Sequence, residues 1–322
     1  MRGILFLAAR IGISAALLYL ALAGIDFVAI QSRLSRIDIA WLAVAVAATL
    51  LQVLIGALRW RIISNCCEAP LGAGQAFRYN MIGAFFNQTL PSTIGGDAMR
   101  LFLVKQTGAG WRAATYSVFV DRAIGLIALA CIVVVSLPWS FRLIGDQKGQ
   151  LALLLVDLAA LSAGVGFLLL SRLPWPWLTR WWVTHHFHAC SRIANGVIFN
   201  RQTGPQIAAL SLSIHIIAVV ISWCAVRAIA APANFEQVFL IVPPIMLITM
   251  LPISIAGWGV REAGMMVAFQ YVGLAQADGT LVSLLFGLSF FVVGLAGGLV
   301  WILDKGKKAG PDAPLGATDA TR

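Results

Sequence analysis

Four charged residues lie within otherwise apolar stretches of the sequence: Asp97 and Arg100 in one stretch, and Arg261 and Glu262 in another. A charge at the centre of a bilayer costs about 2.5–3.5 kcal/mol or more unless it is paired or hydrated, so these residues are functional candidates. Arginine holds a phosphate group through a planar, two-point contact. We therefore predict that Arg100 and Arg261 contact a phosphate group from opposite sides of a cavity. The alternative is that these ions only pair with one another and hold helices together.

A second charged pair, Asp121 and Arg122, opens a later apolar run. Side chains of adjacent residues on a helix do not face each other, so this pair is predicted to make contacts across helices, with Asp97 or Arg100. His215 stands alone in another apolar run, where an interhelical hydrogen bond is the expected use of a polar side chain.

The two charged stretches share a pattern of residues around a break. Residues 90–100 and 251–261 coincide at five of eleven aligned positions, which hold Leu, Pro, Ile, Gly and Arg in both, although chance could produce some of these matches. Proline ends a helix, glycine lets the backbone turn and approach a ligand, and the next helix start directs N–H groups towards an anion. The predicted phosphate-binding set is Asn87, Gly95, Gly96, Asp97, Arg100, Gly257, Arg261 and Glu262, with supporting ion pairs from Asp121 and Arg122 and helix breaks at Pro91 and Pro252.

The elements that position these residues follow from composition. Of 322 residues, 60% are hydrophobic and 11% are charged, against roughly 25% charged in an ordinary soluble domain. The mean hydropathy is +0.88, which excludes a soluble enzyme, a secreted disulfide scaffold and a disordered regulator. Two apolar regions, about 80–105 and 236–274, are interrupted by Pro, Gly and charge. Uninterrupted runs long enough to span a bilayer as helices are Ile4–Gly24, Ile39–Leu58, Ala114–Leu137, Leu151–Leu170, Ile207–Val226 and Leu281–Leu303.

The distribution of basic residues orients these runs. If the N-terminus is cytoplasmic and both interrupted regions return to the side they came from, sixteen basic residues fall inside and five outside. Basic residues accumulate in cytoplasmic loops, so this bias supports both assumptions. The predicted fold is an all-α polytopic membrane protein with six crossings, two re-entrant helical hairpins and both termini cytoplasmic. The formal net charge of +10 is then explained by topology and needs no nucleic acid as a partner.

Three crossings separate the two hairpins, so the second is predicted to be an inverted copy of the first, as in many transporters. The predicted membrane domain is residues 1–303, with repeat halves of about 39–137 and 207–303, followed by a disordered cytoplasmic tail at 304–322. We expect no cofactor and no metal, because the three histidines within residues 185–188 have no nearby cysteine or acidic ligand.

The combination of motifs resembles the membrane domain of lysylphosphatidylglycerol synthases over about residues 1–303. The resemblance rests on Asn87-x-x-x-Pro91 with Gly95-Gly96-Asp97-x-x-Arg100, on Asp121-Arg122, and on Leu251-Pro252 followed by Gly257-x-Gly259-x-Arg261-Glu262. It implies a flippase-like domain of the bacterial cytoplasmic membrane that moves lipids, such as aminoacylated phosphatidylglycerol, between leaflets. The full-length synthases carry a soluble aminoacyl-transferase domain after the membrane part. Only about nineteen polar residues follow Leu303 here, so we expect no synthase activity from this chain.

The predicted function is therefore translocation of a phospholipid or a related anionic or aminoacylated lipid. Two alternatives stay open: an intramembrane transferase that acts on a lipid-linked donor with Asp97 or Glu262 as general base, and a non-transporting partner of a lipid-biosynthesis complex. The expected partners are membrane lipids and enzymes of lipid biosynthesis.

Overall fold

The computed structural model describes residues 37–90, 95–173, 181–250 and 257–308, together with Tyr19, Arg33 and Ser35. The rest of the predicted first span, the predicted breaks Pro91 and Pro252, and the tail after Lys308 lie outside these residues. The helices within the described ranges are α1 (Ile39–Cys66), α2 (Ala73–Thr89), α3 (Gly95–Lys105), α4 (Trp111–Leu143), α5 (Gln147–Leu170), α6 (Trp182–Ile198), α7 (Thr203–Ala228), α8 (Phe235–Thr249), α9 (Val260–Tyr271) and α10 (Gln276–Lys308).

Five of the described helices, α1, α4, α5, α7 and α10, are long and apolar enough to cross a membrane. Each contains one of the predicted runs, and the chain is an all-helical polytopic membrane protein, as predicted. Large apolar side chains such as Leu151, Leu155 and Leu158 on α5 are exposed, which is the arrangement that lipid contact favours. Helix α10 continues to Lys308, so residues 304–308 of the predicted tail are helical.

Local signals explain where several helices begin. Asp38 caps α1, where its Oδ1 accepts a hydrogen bond of 2.9 Å from the backbone N–H of Ala40. Asn234 and Gln237 form a reciprocal capping box at the start of α8. These caps pair backbone N–H groups that would otherwise have no helical acceptor.

Helices α2 and α3 form an antiparallel hairpin. Gly83 on α2 lies opposite Arg100 on α3, and Asn87 lies opposite Gly96, so the pairing runs in opposite directions along the two helices. A Cβ atom added to Gly96 would overlap the carbonyl oxygen of Gly83. The backbones can therefore approach this closely only because residue 96 is glycine.

Helices α8 and α9 form a second antiparallel hairpin. A Cβ atom on Gly264 would lie 3.2 Å from Ile245, and one on Gly257 would lie 3.7 Å from Thr249. Gly257 and Gly259, which precede α9, have φ angles of +79° and +86°, a region that favours glycine. Both interrupted regions therefore double back, which confirms the predicted hairpins.

The two hairpins enter the protein from opposite ends of α1. The base of the first packs near the end of α1, where Trp60 shares a buried cluster with Ala76 and Val104. The base of the second packs near the start of α1, where Trp41 lies against a cluster containing Val238 and Phe269. With 28 residues, α1 is about 42 Å long. The bases of the two hairpins therefore lie near opposite ends of α1.

Candidate functional site

A cavity of about 500 Å³ lies where the two hairpins meet. The first hairpin contributes Asn87 and Asp97, and the second contributes Gly257 and Arg261. These four predicted residues are therefore brought together. The cavity is completed by polar side chains, including Gln52, Gln88, Arg122 and Thr249, and by apolar ones, including Leu126, Met246, Met250, Phe286 and Phe290.

Three arginines and two aspartates form one continuous network beside the cavity. Asp121 on α4 accepts hydrogen bonds of 2.9 Å from Arg59 Nε on α1 and of 3.0 Å from Arg100 Nη2 on α3. Asp97 at the start of α3 accepts one of 3.3 Å from Arg100 Nη1 and two, of 2.7 and 3.0 Å, from Nε and Nη2 of Arg122. The predicted pairing of Asp121 and Arg122 across helices is confirmed.

Arg100 lies behind the cavity wall, which corrects the expectation that it reaches into the cavity. The residue is 5% exposed, and its guanidinium binds Asp97 and Asp121 and stacks 4.0 Å above the ring of Trp60. Gly83 makes room for it, since a Cβ atom there would lie 3.0 Å from Arg100 Cγ. Arg100 thus joins the first hairpin to α1 and α4 and is not among the described residues that line the cavity.

Arg122 on α4 is the arginine of this network that lines the cavity. Its side chain is 41% exposed, although its Nε and Nη2 groups both donate hydrogen bonds to Asp97. A guanidinium carries five N–H groups. Two of them are used by Asp97, and Nη1 of Arg122 has no hydrogen bond to any residue that the structure describes, so this edge is open to a ligand.

Arg261 on α9 forms a separate buried group with Glu262 and Ser283. Its Nη2 donates to Glu262 Oε1 at 2.8 Å and its Nε donates to Ser283 Oγ at 2.9 Å. The hydroxyl of Ser283 in turn donates to Glu262 Oε1 at 2.9 Å. The guanidinium carbon lies 5.1 and 5.3 Å from the ring centroids of Trp258 and Phe286. Arg261 is therefore held firmly while still lining the cavity.

Glu262, Gly95 and Gly96 have structural roles and are not among the residues that line the cavity. Glu262 is fully buried and accepts a hydrogen bond of 2.6 Å from the N–H of Gly259, which caps α9. The N–H of Gly96 donates to Asn87 Oδ1 at 2.9 Å, so this N–H at the start of α3 already has an acceptor. Gly95 packs against Leu90. The N–H groups of Gly96 and Gly259 therefore already have acceptors within the protein and are not open to an anion.

Arg59 is the main residue that sequence reasoning missed. The predicted span ends at Leu58 and assigns Arg59 to the inner side, but α1 continues to Cys66 and buries Arg59. Its contacts are Asp121 and the hydroxyl of Ser211, 3.3 Å from Nη1. Gly125 gives it space, since a Cβ atom there would lie 3.1 Å from Nη1. The signal available in the sequence was the buried acid in α4, which requires a cationic partner.

His215 forms the interhelical contact predicted for it, with Nε2 lying 3.0 Å from the carbonyl oxygen of Gly125. This hydrogen bond joins α7 to α4 beside the cavity. Among the described residues, no group of three or more His, Cys, Asp or Glu side chains is close enough to hold a metal ion.

Two re-entrant hairpins that meet at a charged cavity inside a bundle of spanning helices define a class of polytopic integral membrane protein. Within that class, the family model described as Lysylphosphatidylglycerol synthase TM region matches residues 7–298. The chain therefore belongs to this family, which confirms the resemblance found in the sequence motifs. No curated protein matches the chain.

Proposed function

We propose that the protein translocates a lipid with an anionic headgroup between the leaflets of the bacterial cytoplasmic membrane. The observation that carries the proposal is the cavity shared by both hairpins, to which one half of the chain contributes Arg122 and the other contributes Arg261. Substrate sites of many membrane transporters lie where two discontinuous helices meet. A lipid headgroup would occupy the cavity, while its acyl chains stay in the membrane.

The charge around the cavity supports an anionic ligand. The first network contains three cations, Arg59, Arg100 and Arg122, and two anions, Asp97 and Asp121, so its formal sum is +3 − 2 = +1. The group of Arg261 and Glu262 is neutral. One phosphodiester would balance the surplus charge, and the open edge of Arg122 is where it would bind.

The order of the helices supports an inverted repeat. Helices α1 to α4 have 28, 17, 11 and 33 residues, and helices α7 to α10 have 26, 15, 12 and 33. The hairpins of these two series enter from opposite ends of α1. Such a pair can expose one site to each side of the membrane in turn, which is the motion that translocation requires.

The positive-inside bias supports cytoplasmic termini, and with them a cytoplasmic base for the first hairpin. Cys66, at the end of α1 beside that base, is exposed. In a variant with Cys131→Ser, a membrane-impermeant thiol reagent should label Cys66 in opened cells and leave it unlabelled in intact cells. Labelling in intact cells would reverse the proposed orientation.

The test is lipid movement in vesicles reconstituted with the purified protein. Arg122→Gln and Arg261→Gln should each slow the movement of phosphatidylglycerol by at least tenfold. Arg78→Gln is the matched control, because the Arg78 pair with Asp304 has the same exposed fractions, 41% and 12%, as the pair of Arg122 with Asp97 but does not line the cavity. Undiminished movement in both cavity variants would refute the site.

Two further measurements, one on the purified protein and one in cells, separate the alternative functions. Asp97 and Glu262, the acids considered as general bases, already accept hydrogen bonds from arginines, which disfavours transferase chemistry. Formation of a new lipid from a labelled lipid-linked donor would nevertheless establish an enzyme. Cellular lipid composition that is unchanged after both cavity arginines are neutralised would instead favour a non-transporting partner of biosynthetic enzymes.

A further inference from the structure

A second concave surface lies on the outside of the helix bundle, between α4, α7 and α8. This groove has a volume of about 580 Å³. The side chains that form its walls are Cys131, Val135 and Trp139 on α4, Leu212 and Ile216 on α7, and Phe239 on α8. The spacing of four residues places the three α4 residues on one face of α4 and the two α7 residues on one face of α7. The walls are almost entirely apolar.

The groove and the central cavity lie on opposite sides of the same helices. Helix α7 contributes Leu212 and Ile216 to the groove but Ile214 and His215 to the cavity. The hydrogen bond between His215 and Gly125 joins α7 to α4. The groove is therefore a separate site that faces the surrounding lipid.

The length of the groove matches the chain of a lipid in one leaflet. From Cys131 to Trp139 it extends eight residues along α4, or about 12 Å. One leaflet contributes roughly half of a hydrocarbon core of about 30 Å. Trp139 is exposed at one end of the groove, and exposed tryptophan is typical of the boundary between hydrocarbon and headgroups. The groove thus runs from that boundary to near the bilayer centre.

A carboxylate lies at the boundary end of the groove, because Leu143 at the end of α4 packs against the cluster that contains Val238 near the start of α8. Glu236, in the first turn of α8, is exposed and lines the groove. Among the described residues it has no hydrogen bond or ion pair, because the capping box of α8 uses Asn234 and Gln237 instead. A free carboxylate at headgroup level attracts an ammonium group and repels a headgroup with net negative charge.

We propose that this groove binds one acyl chain of a phospholipid whose headgroup carries an ammonium group, with that group paired to Glu236. The apolar walls bind the acyl chain, and the carboxylate of Glu236 favours a headgroup with an ammonium group over an anionic headgroup. The site is an equilibrium lipid-binding site on the protein surface and does not depend on translocation through the central cavity.

The test places a fluorescent label in the groove and a quencher in the acyl chain. Cys131 and Cys66 are the exposed cysteines, so a Cys66→Ser variant directs a bimane label to Cys131. The protein is reconstituted in phosphatidylglycerol vesicles, in which increasing fractions are replaced by phosphatidylethanolamine or phosphatidylglycerol with brominated acyl chains. The control label is at Leu155→Cys, in a background that also carries Cys131→Ser, since Leu155 is 57% exposed on α5 and lies outside the groove.

We expect quenching at Cys131 to saturate, and to need about two- to fivefold less brominated phosphatidylethanolamine than phosphatidylglycerol, the range of an exposed ion pair. Quenching at position 155 should depend on the brominated fraction alone. Glu236→Gln should abolish the headgroup difference, whereas Glu68→Gln, which changes an exposed acid in the loop before α2, should preserve it. Identical curves at the two labelled positions would overturn the acyl-chain site. A headgroup difference that is absent or survives Glu236→Gln would overturn the assignment of the ammonium contact.

Discussion

Arg100 and Arg122 bind the same carboxylate, Asp97, but their side chains are 7% and 41% exposed. If Arg100 joins helices and Arg122 binds ligand, replacing Arg100 by glutamine should cause the larger loss of stability. Replacing Arg122 by glutamine should cause the larger loss of transport. Glutamine keeps a polar side chain of similar reach and removes the charge. Arg100→Gln leaves each carboxylate with one other arginine, Arg59 for Asp121 and Arg122 for Asp97. The formal charge of the network falls from +1 to zero, and the protein should still fold because neither buried carboxylate loses its last cationic partner.

The stability effect follows from the contacts that each arginine makes. Arg100 loses a charge-assisted hydrogen bond to Asp121, which contributes about 1.5–3 kcal/mol, and a buried cation–π contact with Trp60, which contributes about 2 kcal/mol. We therefore expect Arg100→Gln to lower the free energy of unfolding by about 3–5 kcal/mol. Arg122 forms a partly exposed ion pair, so Arg122→Gln should lower it by about 1 kcal/mol. Titration of mixed micelles with a denaturing detergent measures both values.

The transport effect should have the opposite order. Loss of one charge-assisted hydrogen bond to a phosphate, about 1.5–3 kcal/mol, corresponds to roughly a tenfold to hundredfold fall in transport for Arg122→Gln. Arg100→Gln should slow transport less than Arg122→Gln does, because it removes the surplus charge of the network but no side chain that lines the cavity. The assay is the movement of fluorescent phosphatidylglycerol in vesicles, normalised to the amount of folded protein.

One result would refute this assignment of roles. If Arg100→Gln stops lipid movement while its unfolding free energy is unchanged, Arg100 must contact the lipid. If Arg122→Gln at the same time keeps full activity, the cavity described by the two hairpins is not the headgroup site.

Three further substitutions test the supporting contacts. Gly287→Ala places a Cβ atom against Nη2 of Arg261, so lipid movement should fall at least tenfold in the vesicle assay, and normal transport would show that Arg261 need not hold its position. Glu262→Gln leaves Arg261 buried without a counter-charge, which should lower the unfolding free energy by about 3–5 kcal/mol; a change below 1 kcal/mol in the detergent titration would contradict this. Gly96→Ala forces the first hairpin apart at Gly83 and should reduce the yield of folded protein in size-exclusion chromatography, whereas an unchanged yield would mean that the close contact is dispensable.

The positions of the spans and hairpins were predictable because they depend on patterns within the chain. Apolar length predicted α1, α4, α5, α7 and α10, since a helix needs a minimum length to cross the hydrocarbon core. The repeated Pro and Gly pattern predicted that residues near 90 and 250 interrupt a helix. The end of α1 was not predictable in the same way. A charged residue after an apolar run usually marks the end of a membrane span, and only the structure shows that Asp121 pairs with Arg59 inside the protein.

The choice of cavity-facing arginine was beyond the sequence because it depends on how α3 packs. Gly83 and Asn87 determine which face of α3 lies against α2, and that packing directs Arg100 towards Asp121. The sequence could identify Asp121 and Arg122 as partners across helices. It could not indicate that Arg122 keeps an edge open to the cavity, because exposure depends on the neighbouring helices rather than on spacing.

Equivalent positions in the two hairpins therefore have different roles. Arg100 and Arg261 align in sequence, but Arg100 joins its hairpin to α1 and α4 through Asp121 and Trp60, whereas Arg261 is held within its own half by Glu262 and Ser283. The shared pattern specifies a break in the backbone and a charge beyond it, and the packed neighbours then determine what that charge does. The first half supplies its cavity cation from α4 as Arg122, so the sequence alignment of the two segments does not by itself identify which arginine lines the cavity.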